Sequence, residues 1–359
     1  MYEQLILPSD HYHAGFLIGQ RSRKIMHEYV LSSKPWQSLK TWIGSDRLKN
    51  MEDAARAFFP RYVDELAGIA DGCRLPFSHV FLWNSRGDIY PFVSEGCTTV
   101  YAPASDCVFL GHNEDGDPNL RSHCFISRRE PGTHNSGYLA FTYPASINGH
   151  TFSVNSAGIV QLVDNIRSLE YGDGVPRQLL SRALLDCRSL DDVFSILEGC
   201  DRAGSFHHLL AQIGESNILS VEYTPREVDM LRLHAAYGHA NHFIHPRLQN
   251  SKQRITASSA ARQNRIDKLC RKLTDSTGPD DIRLMLGDMG NRDLPIYRTD
   301  PQDPDHENTL ATAVFRVTSD TVQSRVYVAG NKQQDFDWND QITDRICTHN
   351  LNLKGEKLK

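Results

Sequence analysis

Apolar residues in the first ninety positions recur at helical spacing. Ala55, Phe58, Phe59, Tyr62, Leu66 and Ile69 follow an i, i+3/i+4 rhythm that predicts one helix, with Gly72 placed to end it. Pro76 restarts a shorter helix through Val80, Leu82 and Trp83. From Cys97 the period shortens to short β-branched and aromatic runs between turn residues. They predict strands at Thr98 to Ala102, Cys107 to Gly111, Cys124 to Ser127, Tyr138 to Tyr143, Thr151 to Val154 and Ile159 to Val163. Helices are predicted from Pro176 to Cys187 and from Ser189 to Glu198, the second opened by Ser189 as N-cap. A strand meander follows at Leu209 to Ile213, Ile218 to Tyr223, Val228 to Leu233 and Tyr237 to Phe243. Helices from Ser259 to about Leu273 and from Pro279 to Leu286 come next, then strands at Thr312 to Val317 and Val322 to Val328. Strand blocks alternating with helix pairs predict a layered α+β fold, with helices covering antiparallel sheets. Only Asp300 to Glu307, rich in Pro and Asp, reads as a linker.

Composition narrows the function classes. With 40% hydrophobic and 23% charged residues the chain is neither membrane-embedded nor largely disordered. A net charge of -5 with no run of five like charges gives no footprint for nucleic acid or for a membrane surface, so a small organic substrate is the expected partner. Eight cysteines at irregular spacing in 359 residues read as reduced thiols rather than a disulfide framework. Met1 to Pro8 does not read as a secretory leader, nor Gly355 to Lys359 as a Ser-Lys-Leu-like signal, and the expected location is the cytoplasm.

Phosphate-loop, dinucleotide, zinc-protease and nucleophile-elbow motifs are all missing. His239, His242 and His245 recur every third residue, a spacing that converges on a helix but not on the strand expected here, so hydrogen-bonded histidines are preferred to zinc. No metal and no cofactor is expected.

The segment Ser94-Glu95-Gly96-Cys97-Thr98-Thr99-Val100-Tyr101, followed by Leu110-Gly111-His112-Asn113-Glu114-Asp115, is the informative one. A cysteine opens a strand where the helical part of the chain ends, and a glycine precedes it. Glycine permits backbone angles that a Cβ forbids and leaves room for a thiol to approach its own preceding carbonyl, as an N-to-S acyl shift requires. Breaking the Gly96-Cys97 bond would give Cys97 both a nucleophile and a free α-amine, whose reference pKa of about 8 suits a general base. The intact chain would be a zymogen. The alternative is a buried cysteine at a strand start.

Gly96-Cys97-Thr98-Thr99-Val100-Tyr101, Gly111-His112-Asn113-Glu114-Asp115, Asn155-Ser156-Ala157-Gly158, Gly174-Val175-Pro176 and Asn241-His242 resemble, in order and spacing, the self-processing penicillin acyltransferases of fungi. Gly111 to Asp115, Pro176-Arg177, Arg182-Ala183-Leu184-Leu185 and Met285-Leu286-Gly287-Asp288 are similar to insect N-β-alanyl-dopamine hydrolases. Both groups belong to the cysteine N-terminal-nucleophile hydrolases. The resemblance implies a single domain, a four-layer αββα sandwich of two antiparallel sheets covered by helices. It implies cleavage between Gly96 and Cys97 into a mostly helical α fragment, residues 1–96, and a β fragment, residues 97–359, which stay together as a heterodimer, with assembly into a homo-oligomer left open.

On the same resemblance Cys97 is the nucleophile and its freed amine the base. Asp115 matches a carboxylate near the processing site, and Asn241 an oxyanion-hole donor, a role worth roughly 3 kcal/mol. Asn113, Glu114, Asn155 and Asn165 are second-rank candidates for supporting or substrate-binding roles. Turn or strand-end capping roles are the alternatives for Asp115, Asn155 and Asn241. Tyr90, Phe92 and Tyr143 are further pocket candidates. The fungal enzymes carry Trp where Glu114 stands and a Ser-Arg pair with no counterpart around Thr309-Leu310-Ala311-Thr312. The expected activity is therefore amide hydrolysis on a small acylated or aminoacylated amine, with N-acyl transfer from a thioester, or a non-catalytic binding role, as alternatives.

Overall fold

Close approach of two helix backbones organises the N-terminal part of the chain. A computed structural model describes residues 2–89, 95–132 and 136–328 and the backbone of 332–334. Its helices are α1 (His11–Glu28), α2 (Lys34–Leu39), α3 (Asp46–Phe58), α4 (Pro60–Cys73), α5 (Phe77–Asn84), α6 (Arg86–Ile89), α7 (Arg177–Leu184), α8 (Leu190–Glu198), α9 (Ala257–Cys270) and α10 (Pro279–Leu286). Gly15 and Gly19 of α1 lie against Gly68 and Gly72 of α4. A Cβ on Gly15 would stand 1.9 Å from the Glu65 carbonyl oxygen, and one on Gly68 would stand 2.0 Å from that of Tyr12. Gly72 therefore serves the crossing, not the helix end expected of it. The left-handed cap is Arg74, at φ 56°. The single helix expected across residues 55 to 69 is also broken, because Phe59 leaves helical geometry and Pro60 starts α4.

Strands β1 (Gln4–Leu7), β2 (Glu95–Pro103), β3 (Val108–Gly116), β4 (Phe125–Arg129), β5 (Tyr138–Thr142), β6 (Phe152–Asn155), β7 (Ile159–Asn165), β8 (Phe206–Gln212), β9 (Ile218–Tyr223), β10 (Val228–Leu233), β11 (Tyr237–His239), β12 (Asn308–Val317), β13 (Val322–Val328) and β14 (Lys332–Gln334) form two sheets. One runs β1-β4-β5-β6-β7-β8-β9-β10 and the other β11-β2-β3-β12-β13-β14. All pairings are antiparallel except β1 with β4. β2 packs across the interface on β7, α8 covers the larger sheet and α9 and α10 the smaller one. Beneath α9 and α10 lies an apolar layer of Val100, Ala102, Phe109, Ile266, Ile282 and Leu286. The layers are thus αββα, the fold class read from the sequence.

Three local differences matter. β1 escaped sequence reading because four residues carry little pattern, yet it ties the first 96 residues into the larger sheet through β4. The strand expected to reach Phe243 stops at His239, because side chains capture the next amides: Ala240 donates to Gln263 Oε1 at 2.8 Å and Asn241 to Ser259 Oγ at 3.0 Å. The linker-like stretch 300–307 instead wraps a buried guanidinium. Arg298 Nε donates to Asp303 Oδ2 at 3.0 Å, and its other nitrogens meet Asp303 and Glu307. The seven cysteines among the described residues are unpaired and buried, and Cys347 lies outside them.

Replacing Gly68 by Ala forces α1 and α4 apart. The expected loss is about 1–3 kcal/mol, read as a lower urea midpoint at unchanged slope.

Candidate active site

The β2–β3 hairpin sets out the site by its register. Gly96 faces Asp115, Cys97 faces Glu114, Thr98 faces Asn113 and Thr99 faces His112. Side chains alternate between faces, so Cys97, Thr99, His112 and Glu114 look between the sheets. Gly96, Thr98, Asn113 and Asp115 look toward the helices that cover the smaller sheet.

Cys97 is 3% exposed. Its N–H donates to Asn241 Oδ1 at 3.0 Å, and Arg262 Nη2 donates to the same oxygen at 2.6 Å. Two groups that can only donate identify that atom as the amide oxygen. Arg262 Nη1 also holds the Cys97 carbonyl and Thr98 Oγ1. Asn241 Nδ2, the group an oxyanion role would use, donates to the Asn165 carbonyl at 2.9 Å. Asn165 Nδ2 in turn donates to the Glu95 carbonyl at 2.8 Å. Two asparagines and an arginine therefore fix the main chain on both sides of the Gly96–Cys97 bond.

The thiol lies 3.9 Å from Glu114 Oε2. Burial pushes its pKa well up, and Glu114, Asp164 and Asp115 add to the rise, while the main-chain N–H of Asn165 opposes it. In the continuous chain the thiol is protonated at neutral pH. Burial also raises Glu114, to about 7, against the pull of His112 and Tyr143. Tyr143 OH donates to Glu114 Oε1 at 2.9 Å, and His112 Nε2 lies 3.0 Å from Oε2.

Behind this group runs a buried polar chain. Thr99 Oγ1 donates to Asp164 Oδ1 at 2.7 Å, which leaves its oxygen to accept from His112 Nδ1 at 3.0 Å. Asp164 Oδ2 meets His207 Nδ1 at 2.7 Å and His239 Nδ1 at 3.0 Å. Although burial alone would raise Asp164, those imidazoles hold it below the ordinary range. Burial and then the neighbouring His239 lower His207 to about 4. For His239, Asp164 and Glu222 outweigh burial and raise it to about 9. The histidine triplet expected from spacing does not converge: His239 meets Asp164 and Glu222, His242 meets Ser259, and His245 meets Ser220. Cys97 with His112 and Glu114, and Asp164 with His207 and His239, bring donor atoms within 4.8 Å of one another. In the first trio hydrogen bonds already engage the His112 nitrogens and the Glu114 carboxylate, and in the second His207 bonds Asp164 while His239 Nδ1 makes an ion-pair contact with it.

The outer face explains Gly96. Its φ is not in the left-handed region that the sequence argument invoked. A Cβ there would lie 2.2 Å from Glu307 Oε2 and 2.9 Å from Arg298 Nη1, so the glycine is needed for close approach of that ion pair. Asp115 stands on this face, accepts from Thr309 Oγ1 at 2.7 Å and lies 3.8 Å from Arg298 Nη1. Asn113 bonds Leu286 and Thr312, away from the thiol. Asn155 is not brought to the cluster: its amide ties Leu185 and Cys187 to the 155–159 turn, and its φ is not positive. Tyr90, Phe92 and Ser94 lie outside the described residues.

A cleft of about 700 Å³, lined by Tyr29, Lys34, Asp117, Arg167, Arg254 and Asp305, opens beside a pocket of about 60 Å³ that shares Tyr29 and Asp117. The smaller pocket reaches Trp83, Arg86, Glu95 and Tyr143. Glu95 is two residues from Cys97 and Tyr143 bonds Glu114, so this pocket leads toward the thiol.

Residues 103–333 match the family model described as acyl-coenzyme A:6-aminopenicillanic acid acyl-transferase. The chain belongs to that family. It is 25% identical to the β-alanyl-dopamine/carcinine hydrolase of Drosophila melanogaster, over 87% of this chain and 89% of that protein. Identity to the 40 kDa form of the acyl-coenzyme A:6-aminopenicillanic-acid acyltransferase of Emericella nidulans is 34%, over 71 residues and a fifth of that protein. A mutant conjugated bile acid hydrolase from Clostridium perfringens aligns with TM-score 0.47 at 11% identity, over 68% of this chain and 93% of that one. Among the described residues no helix is long and apolar enough to cross a membrane.

Thr99, His112, Asp164, Tyr143 and Arg262 complete the cluster, and of these the sequence pointed only to Tyr143, as a pocket candidate without a role. One signal was available. Cys97 with Thr99, and His112 with Glu114, stand at alternate positions of two successive strands, so each pair shares a face of its strand. Arg262 had no such signal.

Gly96→Ala drives a methyl into the Arg298–Glu307 pair. A loss of about 1–3 kcal/mol in denaturant unfolding is expected, and an unchanged midpoint would show that the ion pair moves aside freely.

Proposed function

We propose that this family member is a self-processing cysteine amidohydrolase. Cys97 Sγ attacks the Gly96 carbonyl, the chain is cut into residues 1–96 and 97–359, and the freed Cys97 then attacks the carbonyl of an acylated small amine. The α-amine acts as base, the amine product leaves, and water discharges the acyl-enzyme. The observation that carries this reading is the double hold on Cys97: its nitrogen is fixed by Asn241, which Arg262 holds in turn, while its sulfur lies 3.9 Å from the buried carboxylate of Glu114, whose partner Tyr143 lines the smaller pocket. Asn241 Oδ1 would orient the amine, and Nδ2 would serve an oxyanion only by leaving the Asn165 carbonyl. Asp115, opposite Gly96 and beside Arg298, would steady the scissile segment from the outer face.

The fragments are read as a heterodimer, since β1, α1 and α4 are packed into the rest of the fold. The substrate class is an acyl or aminoacyl amide of a small amine, of which a β-alanyl amide is the first to try, because the hydrolase relative spans nearly the whole chain. Transfer from a thioester is the second reading, favoured by the family model. Seven buried, unpaired thiols suit a reducing compartment and support a cytoplasmic location.

The test is intact mass under denaturing conditions, together with amine release from a β-alanyl amide with and without an acyl thioester. Two fragments and thioester-independent release are expected, and Cys97→Ala should remain whole and inactive. A single full-length species that still releases amine would overturn self-processing, and amine release by Cys97→Ala would remove Cys97 from the chemistry.

A further inference from the structure

Self-cleavage has a chemical gap that turnover does not. Until the Gly96–Cys97 bond is broken, the Cys97 nitrogen is an amide without basicity, and the thiol that must attack is buried and protonated. Three carboxylates act on that thiol. Asp164 is committed to Thr99, His207 and His239, which keep it ionised and make it a poor proton acceptor. Asp115 stands on the opposite face of the strand, bonded to Thr309. Glu114 alone shares the inner face with Cys97 and has an oxygen within 3.9 Å of the sulfur.

We propose that Glu114, paired with His112, is the base that takes the Cys97 thiol proton during self-cleavage. This rests on the self-processing reading given above. Thr99 spends its only proton on Asp164, so His112 Nδ1–H donates to Thr99, and His112 Nε2 faces Glu114 with one proton in the contact. In the imidazolium–carboxylate form, Glu114 Oε2 accepts from His112 and keeps a second lone pair on the side of the thiol. Tyr143 occupies Oε1 and fixes the carboxylate plane.

The steps balance. The thiol proton passes to Glu114 Oε2 and the sulfur forms a bond to the Gly96 carbonyl carbon. The carbon–nitrogen bond then breaks, and the departing Cys97 nitrogen takes the proton back from Glu114 to become an amine. The thioester between Gly96 and Cys97 Sγ is hydrolysed by water, which leaves the Gly96 carboxylate and restores the thiol. Once the amine exists it takes over as base, and Glu114 is no longer required for proton removal.

The groups acting on Glu114 are His112 beside it, Cys97 on β2, Tyr143 after β5, and, at longer range, Glu95, Cys124 and Tyr2. Burial, the largest influence, lifts Glu114 to about 7. A raised carboxyl pKa means the ionised, proton-accepting form is lost as pH falls below that value. Self-cleavage should therefore accelerate as pH rises through about 7.

The experiment follows freshly synthesised full-length chain by intact mass between roughly pH 5.5 and 8.5, a span chosen to bracket that titration, for wild type, Glu114→Gln and Glu114→Asp, with thermal unfolding as the folding check. Glu114→Gln keeps the shape and the Tyr143 bond but cannot take a proton. It should cleave about 100-fold more slowly or worse, without the rise through pH 7, while Glu114→Asp should be slowed less and retain the rise. Cleavage of Glu114→Gln within a few-fold of wild type, or with the pH rise intact, would overturn the assignment. Should Glu114→Gln not fold, an Asp variant that folds and lacks the rise would overturn it equally. A wild-type chain that never breaks at Gly96–Cys97 is a different result and removes the self-processing reading itself.

Discussion

The register between β2 and β3 is the constraint on which the site depends. Because Cys97 pairs with Glu114 and Gly96 with Asp115, one hairpin delivers a thiol and a carboxylate to the gap between the sheets, and a second carboxylate to the helical face behind it. A slip of β2 by one residue would turn the thiol toward α9 and α10, and a slip of β3 would bury Asn113 and Asp115 between the sheets. Arg262 and Asn241 lock the register at Cys97, and the Arg298–Glu307 pair presses on Gly96 from the other side.

Placing so many polar groups between two sheets is costly unless every one is bonded. The chain from Glu114 through His112, Thr99 and Asp164 to His207 answers that demand with hydrogen bonds between carboxylates, a hydroxyl and imidazoles, and His239 joins it through an ion-pair contact with Asp164. Its members are pushed apart in acidity by their surroundings: Asp164 is held ionised by two histidines, whereas Glu114, beside one imidazole in the same burial, is lifted toward neutrality. Two buried carboxylates a few residues apart in space thereby acquire different chemical capacities, one as a fixed charge and the other as a proton acceptor.

The layered fold was legible because strand alternation and helix periodicity are local. Ile218–Tyr223, Val228–Leu233 and Pro279–Leu286 fall where the pattern placed them. Gly72 and the strand after His239 were misread because their outcome depends on distant partners, α1 in one case and Gln263 and Ser259 in the other. The site followed the same division. Gly96 and Cys97 stood out as neighbours in the chain, but Glu114 was ranked below Asp115, and only the strand faces reverse the order of contact with the thiol. Asp164, Tyr143 and Arg262 come from elements tens of residues away, and no local pattern ties them to Cys97.

The claim that Cys97 carries the acyl group is tested most directly by acid-quenched mass spectrometry of the protein during turnover of an N-acyl amine. The account predicts a transient acyl mass on a peptide whose first residue is Cys97, lost on further incubation. Amine release with the acyl group on another residue, or with a Cys97 peptide still joined to Gly96, would contradict it.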